Sequence, residues 1–191
     1  MAHKFDPDKA YRLDSEERRK LLPPEKTLKK CGLRPGDVVA DIGCGTGYFT
    51  VPAARIVGEE GWIYAIDTSP RMLDELRIRM KGEKLSNVEI LHSGEYRIPV
   101  QKGSCTFVLL SAVLHEVENK RKFLSEIKEL LHPEGTLAIL EWNTLQPEEG
   151  PPLKERIAAA ELSQMLMDAG FSITRRGMMD SPVYSVSARI N

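Results

Sequence analysis

The sequence predicts an α/β fold on a seven-stranded, mainly parallel sheet with an antiparallel last strand, and three observations carry that prediction. From Gly36 onward, strand-like and helix-like patterns alternate. The final two strand patterns are joined only by residues 178–182, a hairpin-sized link that turns the last strand antiparallel to its neighbour. No internal repeat or low-complexity segment competes with this reading.

Taken in order, the strand-like runs are 37–42, 62–66, 88–91, 105–110, 135–142, 171–177 and 183–189. A helix is expected over 48–57. Another, over 70–81, starts with Pro70 after Ser69, a residue pair suited to a helix start. Asn119 suits an N-cap, Phe123, Leu124, Ile127, Leu130 and Leu131 follow helical spacing, and Pro133 with Gly135 stops that helix. A further helix spans 157–169 and stops at Gly170. Residues 92–104 are too short and polar for a crossover helix and read as a loop. Before the alternation begins, LDSEERRKLLPPEKTL reads as a short helix, a proline break and a second helix over 24–30. This pair either covers a sheet edge or caps a ligand site.

At 191 residues the chain suits a single domain, with 1–31 as a short N-terminal helical cap and 32–191 as the core. A formal net charge of -1 gives no electrostatic reason for a polyanionic partner, so nucleic acid is not the expected substrate. Cys31, Cys44 and Cys105 are too scattered for a disulfide framework or a zinc site, and read as reduced thiols. No His, Asp or Glu cluster has metal-ligand spacing, so no metal is expected. The charged N-terminus lacks a signal-peptide core and no apolar run reaches membrane-spanning length, which together suggest a cytoplasmic protein.

The chemistry concentrates in VVADIGCGTGYFT, residues 38–50, where an apolar run ends in Asp41 and a turn carrying Gly43, Gly45 and Gly47 follows. In a doubly wound sheet, ligands sit beyond the carboxyl ends of the strands where strand order reverses, so this turn is in the right place. A dinucleotide site wants G-x-G-x-x-G, with helix-terminal amides open to a pyrophosphate. Here the spacing is G-x-G-x-G, Tyr48 stands where the third glycine would fall, and Asp41 would repel that anion. A ligand bearing a positive group fits instead.

S-adenosyl-L-methionine carries an α-ammonium and a sulfonium and has no phosphate. DIGCGTG resembles motif I of the class I S-adenosylmethionine-dependent methyltransferases, a family with a Rossmann-like three-layer sandwich fold. The resemblance implies that Asp41, Gly43, Cys44, Gly45, Gly47 and Tyr48 surround the methionine end of the cofactor. YAIDTSPRML supplies the second match. Asp67 falls where the family holds the ribose hydroxyls, with Thr68 and Met72 beside the ribose and adenine. In NVEILHSGEYRIPV the acid that usually meets the adenine amino group is replaced by Gly94, and its neighbour Glu95 is the candidate from a shifted register. FVLLSAVLHEV resembles the fourth strand and its exit. LLHPEGTLAILEW resembles the helix-to-strand link that follows, with Glu134 in place of one glycine. The layout is similar to the branch that includes ubiquinone and menaquinone C-methyltransferases. Arsenite methyltransferases share the layout too, but the placement of the three cysteines does not suit their chemistry.

In this family the exit of the fourth strand faces the sulfonium, so Ser111, Ala112, Leu114, His115 and Glu116 are the candidates for the transfer site. An Asn/Asp-Pro-Pro-Tyr/Phe motif, shared by nucleic-acid amino-methyltransferases of this fold, is absent. His115 is either a general base or a residue that only hydrogen-bonds its surroundings. Residues 143–156, rich in Pro, Gly and Glu, form a loop at the cofactor end, and with the N-terminal helices are expected to close the pocket. Trp142 is a candidate wall of that pocket or plain core.

The expected function is methyl transfer from S-adenosyl-L-methionine to a small molecule by direct displacement, leaving S-adenosyl-L-homocysteine. The alternatives are a non-catalytic module that binds the same cofactor and a nicotinamide-dependent oxidoreductase. Oligomeric state is not fixed by the sequence.

Overall fold

The structure is a computed structural model, and it describes residues 14–144, 150–178 and 182–191, together with Asp8. Its helices are α1 (Glu16–Leu21), α2 (Pro24–Cys31), α3 (Thr50–Val57), α4 (Pro70–Lys81), α5 (Lys120–Leu130) and α6 (Ala159–Asp168). Its strands are β1 (Val38–Ile42), β2 (Trp62–Asp67), β3 (Val88–His92), β4 (Cys105–Ser111), β5 (Leu131–Trp142), β6 (Phe171–Gly177) and β7 (Val183–Ile190). The strands form one seven-stranded sheet in the order β3-β2-β1-β4-β5-β7-β6. Neighbours from β3 through β5 pair in parallel. β7 is antiparallel to both β5 and β6, so the hairpin-sized link returns the chain between two strands already laid down.

Alternation along the central strands sorts the helices into two layers. Ala40, Ile42, Val108, Leu110, Leu137 and Ile139 meet α5 and α6 through Phe123, Leu124, Ile127, Leu162 and Leu166. Their strand neighbours Val39, Phe107, Leu109, Ala138 and Leu140 point the other way, toward Leu28 of α2 and Ala53, Ala54 and Val57 of α3. Leu73 and Leu76 of α4 cover Ala65 of β2. Helix starts follow the local chemistry: Ser15, Ser69 and Asn119 each accept a hydrogen bond from a backbone N–H two or three residues into the next helix.

Three boundaries differ from expectation. α3 starts at Thr50 rather than at residue 48, because Tyr48 and Phe49 stay in the turn with buried side chains. α6 is shorter than 157–169, with Ala158 extended ahead of it. β5 starts at Leu131, immediately after α5: Leu131 pairs with Cys105 before a register shift, and Thr136 then pairs with Phe107. The bulge accommodates Pro133, which has no N–H to give a regular ladder. The link over 178–182 falls partly, at 179–181, outside the described residues.

The N-terminal helices divide between the two roles open to them. α2 lies on the sheet, with Leu28 fully buried, the Cys31 carbonyl accepting from Ser187 Oγ at 3.2 Å and the Lys30 carbonyl from Arg175 at 2.6 Å. α1 sits over Tyr48, whose hydroxyl donates to the carbonyl of Leu22 at 2.6 Å.

The side of the sheet that carries β3 is tied to α3 by Asn87. Its buried amide donates to the carbonyls of Ala54 (3.0 Å) and Gly58 (2.8 Å), while its own carbonyl accepts from Ile63 N–H. Replacing it as Asn87→Ala removes both side-chain bonds from a buried site, and is expected to lower unfolding free energy by about 1–3 kcal/mol. Urea denaturation should show an earlier midpoint with an unchanged slope.

Candidate functional site

β1 pairs with β2 on one side and β4 on the other, so the chain reverses its direction of travel across the sheet at the carboxyl end of β1. Asp41 and Ile42 end that strand, and Gly43, Gly45 and Gly47 in the following turn all take positive φ (72, 54 and 85°). Two of these glycines permit close approach by neighbouring elements. A Cβ on Gly43 would lie 2.3 Å from Val113 Cγ2, and one on Gly47 would lie 2.5 Å from Leu76 Cδ1. Gly47 therefore lets α4 close on the turn, and it lines neither of the cavities there.

Two cavities, of about 400 and about 40 Å³, meet at Gly43 and Gly45, which line both. The larger is walled by Asp67, Thr68, Met72, Gly94 and Glu95, all singled out in the sequence, and by Ala112 and Glu116 from the β4 exit. Ser69, Ser93, Ile98 and Phe123 are among its other walls and were not anticipated from the sequence. The smaller holds Asp41, Cys44, Tyr48 and Ser111, joined by Arg18 of α1.

Asp67 is fixed by two backbone amides. Its Oδ2 accepts from Gly45 N–H and its Oδ1 from Ser69 N–H, both at 2.8 Å. Each oxygen retains a further lone pair and the residue lines the larger cavity, an arrangement suited to adjacent hydroxyls. Ser69 caps α4 by accepting from Met72 N–H at 3.4 Å. On the far wall Glu95 accepts from Glu118 N–H at 3.2 Å, which ties the loop after β3 to the start of α5.

Asp41 is 2% exposed and accepts a hydrogen bond from the Thr50 hydroxyl at 2.6 Å. Burial pushes its pKa up to about 6; the Thr50 hydrogen bond opposes the rise and the charge of Asp67 adds to it. A carboxylate in this state favours a cationic ligand group, which would restore the solvation that burial removed.

At the β4 exit Ala112 takes φ 56°, a conformation that costs a residue with a Cβ on the order of 1 kcal/mol. Its N–H is held by the Leu140 carbonyl at 2.8 Å. The bend turns Ala112 and Glu116 to the larger cavity and buries Leu114 in the core. His115 reaches neither cavity wall and faces β5. Its Nδ1 lies 2.7 Å from Glu141 Oε2, and its backbone N–H donates to Glu141 Oε1 at 3.2 Å. Its Nε2 lies 3.8 Å from Glu116 Oε1. Burial opposes charge on the imidazole, but the hydrogen bond and charge of Glu141, with the charges of Glu116 and Glu155, outweigh it and raise the pKa.

Glu141, fully buried, is the main residue the sequence reading passed over. Its signal was present, since an acid inside the apolar run LAILEW has to find a partner. Trp142 stands in neither cavity; the Arg156 guanidinium lies 5.8 Å from its ring and donates to the Asn143 carbonyl at 2.7 Å. Of the expected closing loop, residues 145–149 lie outside the described residues. Among the described residues, no group of His, Cys, Asp and Glu side chains is placed to hold a metal ion, and no helix is long and apolar enough to cross a membrane.

The raised pKa of Asp41 makes a pH-dependent stability prediction. Between about pH 4 and about pH 6 the folded protein keeps a proton that the unfolded chain has released, so stability falls as pH rises through that window. From pH 4 to pH 8 the wild type should lose roughly 2–3 kcal/mol more than Asp41→Asn, which has no charge to bury. Urea unfolding of both proteins at the two pH values measures this, and equal losses would show that Asp41 ionises without cost.

Comparison with known proteins places this geometry. The crystal structure of a SAM dependent methyltransferase from Aquifex aeolicus superposes with a TM-score of 0.92 at 35% identity, covering 98% of this chain and 100% of that one. The demethylmenaquinone methyltransferase of a Geobacillus species is 31% identical over 130 residues, 68% of this chain and 55% of that protein. The enzyme of the same name from Lactococcus lactis is 31% identical over 116 residues, 61% of this chain and 46% of that protein. The chain spans about half the length of the curated relatives it matches. These likenesses bear out the expected class I fold and the similarity to the quinone methyltransferase branch. The methyltransferase domain model matches residues 40–139, which reach from the end of β1 into β5 and so include both acids and the β4 exit, and the chain belongs to that methyltransferase domain family.

Proposed function

We propose that the protein is a class I S-adenosylmethionine-dependent methyltransferase that transfers the methyl group to a small molecule by direct displacement at the sulfonium. The observation that carries this reading is the pair of cavities joined at Gly43 and Gly45, each with its own acid. Asp67 in the larger cavity suits ribose hydroxyls, with Thr68, Met72, Gly94 and Glu95 around the rest of the nucleoside. Asp41 in the smaller suits the α-ammonium of the methionine end. A pyrophosphate meets carboxylates in both cavities, which disfavours a nicotinamide dinucleotide.

The cofactor, when bound, supplies the activated methyl group. The chain's own residues hold it, exclude water and manage the proton of the acceptor. Methyl transfer depends first on in-line placement, so the β4 exit at Ala112 and Glu116 acts by position. Glu116 faces the larger cavity, and behind it His115 offers Nε2 while Glu141 occupies Nδ1. A proton leaving the acceptor would pass to Glu116 and then to neutral His115. A small acceptor agrees with the likeness to demethylmenaquinone methyltransferases, and no charge excess favours nucleic acid.

The test is titration calorimetry with S-adenosyl-L-homocysteine, followed by transfer of radiolabelled methyl from S-adenosyl-L-methionine into the small-molecule fraction of a cell extract. Wild type is expected to bind and to label a product, and Asp67→Ala to weaken binding by at least tenfold. Binding without any labelled product would favour the non-catalytic module. Because the pKa of His115 is raised, label transfer should increase as pH rises through a value above the ordinary histidine range, about 6.5. In His115→Gln that rise should disappear with cofactor affinity unchanged; a profile identical to wild type would remove His115 from the reaction.

A further inference from the structure

The smaller cavity contains two opposite charges that do not pair with each other. Asp41 forms one wall and Arg18 of α1 another, with Ser111 between the sheet and the turn. The Arg18 guanidinium carbon lies 4.5 Å from the centre of the Tyr48 ring. Tyr48 in turn holds α1 in place, donating to the Leu22 carbonyl at 2.6 Å and sharing that proton with the Arg18 carbonyl at 3.2 Å. The ion pairs around this helix, among the described residues, are Asp14 with Arg19, Asp14 with Arg79 and Glu16 with Lys20. Arg18 belongs to none of them. Its side chain is half-buried, stacked on an aromatic face and within the field of Asp14, and it lines the cavity of about 40 Å³ that Asp41 also lines.

A cation and an anion that line one small space without touching suit a ligand group carrying both signs at short range. An α-amino acid end meets that requirement: its ammonium answers Asp41, and its carboxylate answers a guanidinium through two parallel hydrogen bonds. We propose that Arg18 binds the carboxylate of the cofactor's amino-acid end, making α1 a wall of the cofactor site. This rests on the methyltransferase reading above. α1 then does more than shield Tyr48, since it supplies the charge that distinguishes a nucleoside with an amino-acid tail from one without it. Arg79, which pairs with Asp14 at 3.0 Å and donates to the Thr46 carbonyl at 3.4 Å, links a residue two positions before α1 to the glycine turn and so helps to hold α1 over it.

The experiment is a comparison of two ligands across three variants by titration calorimetry. S-adenosyl-L-homocysteine has the amino-acid end, and 5′-deoxy-5′-methylthioadenosine keeps the nucleoside and sulfur but lacks it. Arg18→Ala should weaken S-adenosyl-L-homocysteine at least tenfold, about 1.4 kcal/mol, and change methylthioadenosine by less than twofold. Arg18→Lys, which keeps the charge but not the planar fork, should fall between wild type and Arg18→Ala. Arg19→Ala is the control on the same helix and should leave both affinities within twofold. Equal loss of both ligands in Arg18→Ala would mean that Arg18 only supports α1 against Tyr48, and no loss of either would also overturn the proposal. Wild type that binds neither ligand would instead refute the cofactor assignment itself, an outcome separate from the other two.

Discussion

The structure depends on a carboxylate almost wholly removed from solvent. Asp41 stands near the end of a strand buried between two parallel neighbours, and among the described residues its side chain accepts a hydrogen bond from the Thr50 hydroxyl. Ionising it there is costly, and the charge of Asp67 raises the cost. A cationic ligand group of the kind proposed above would offset that cost on binding.

Around Asp41 three strand ends are locked to one another by short-range geometry. Asp67, at the end of β2, reaches back to Gly45 N–H and forward to Ser69 N–H, so the glycine turn and the start of α4 share one carboxylate. The β4 exit closes from the other side, with Val113 packed where Gly43 has no side chain. The positive φ of Ala112 is the strain that this closure requires, and the Leu140 carbonyl on β5 holds it. Movement of any one of these strand ends therefore displaces the junction between the two cavities. That rigidity suits a reaction governed by alignment of donor and acceptor.

What the sequence made legible was local. Alternating patterns located all seven strands, and the acids at Asp41 and Asp67 could be read because each follows an apolar run and precedes a turn with its own chemistry. What it hid was nonlocal. His115 could be seen at the end of the fourth strand, but its partner Glu141 lies 26 residues further on, brought beside it only by the pairing of β4 with β5. Arg18 precedes the turn it overhangs by 30 residues, counted to Tyr48, and nothing in the charged run EERRK separates it from its neighbours. Gly47 read as a ligand contact because glycines in such turns look alike in a sequence, whereas here Leu76 occupies the space beside it. β5 began early because pairing with Cys105 outweighed the stop signalled by Pro133.

The same division separates the part of the site that identifies a cofactor from the part that selects an acceptor. The proposed cofactor contacts lie at strand ends, where sheet register fixes each side chain and a few residue types at set spacing are enough to specify them. In the proposed reaction the acceptor would meet the short 3₁₀ turn at Leu114–Glu116, of which Glu116 lines the larger cavity. Glu141, by contrast, belongs to β5 and pairs in register with Tyr184 of β7. The proposed proton route through His115 would thus be anchored in the core, because Glu141 holds the imidazole from a central strand.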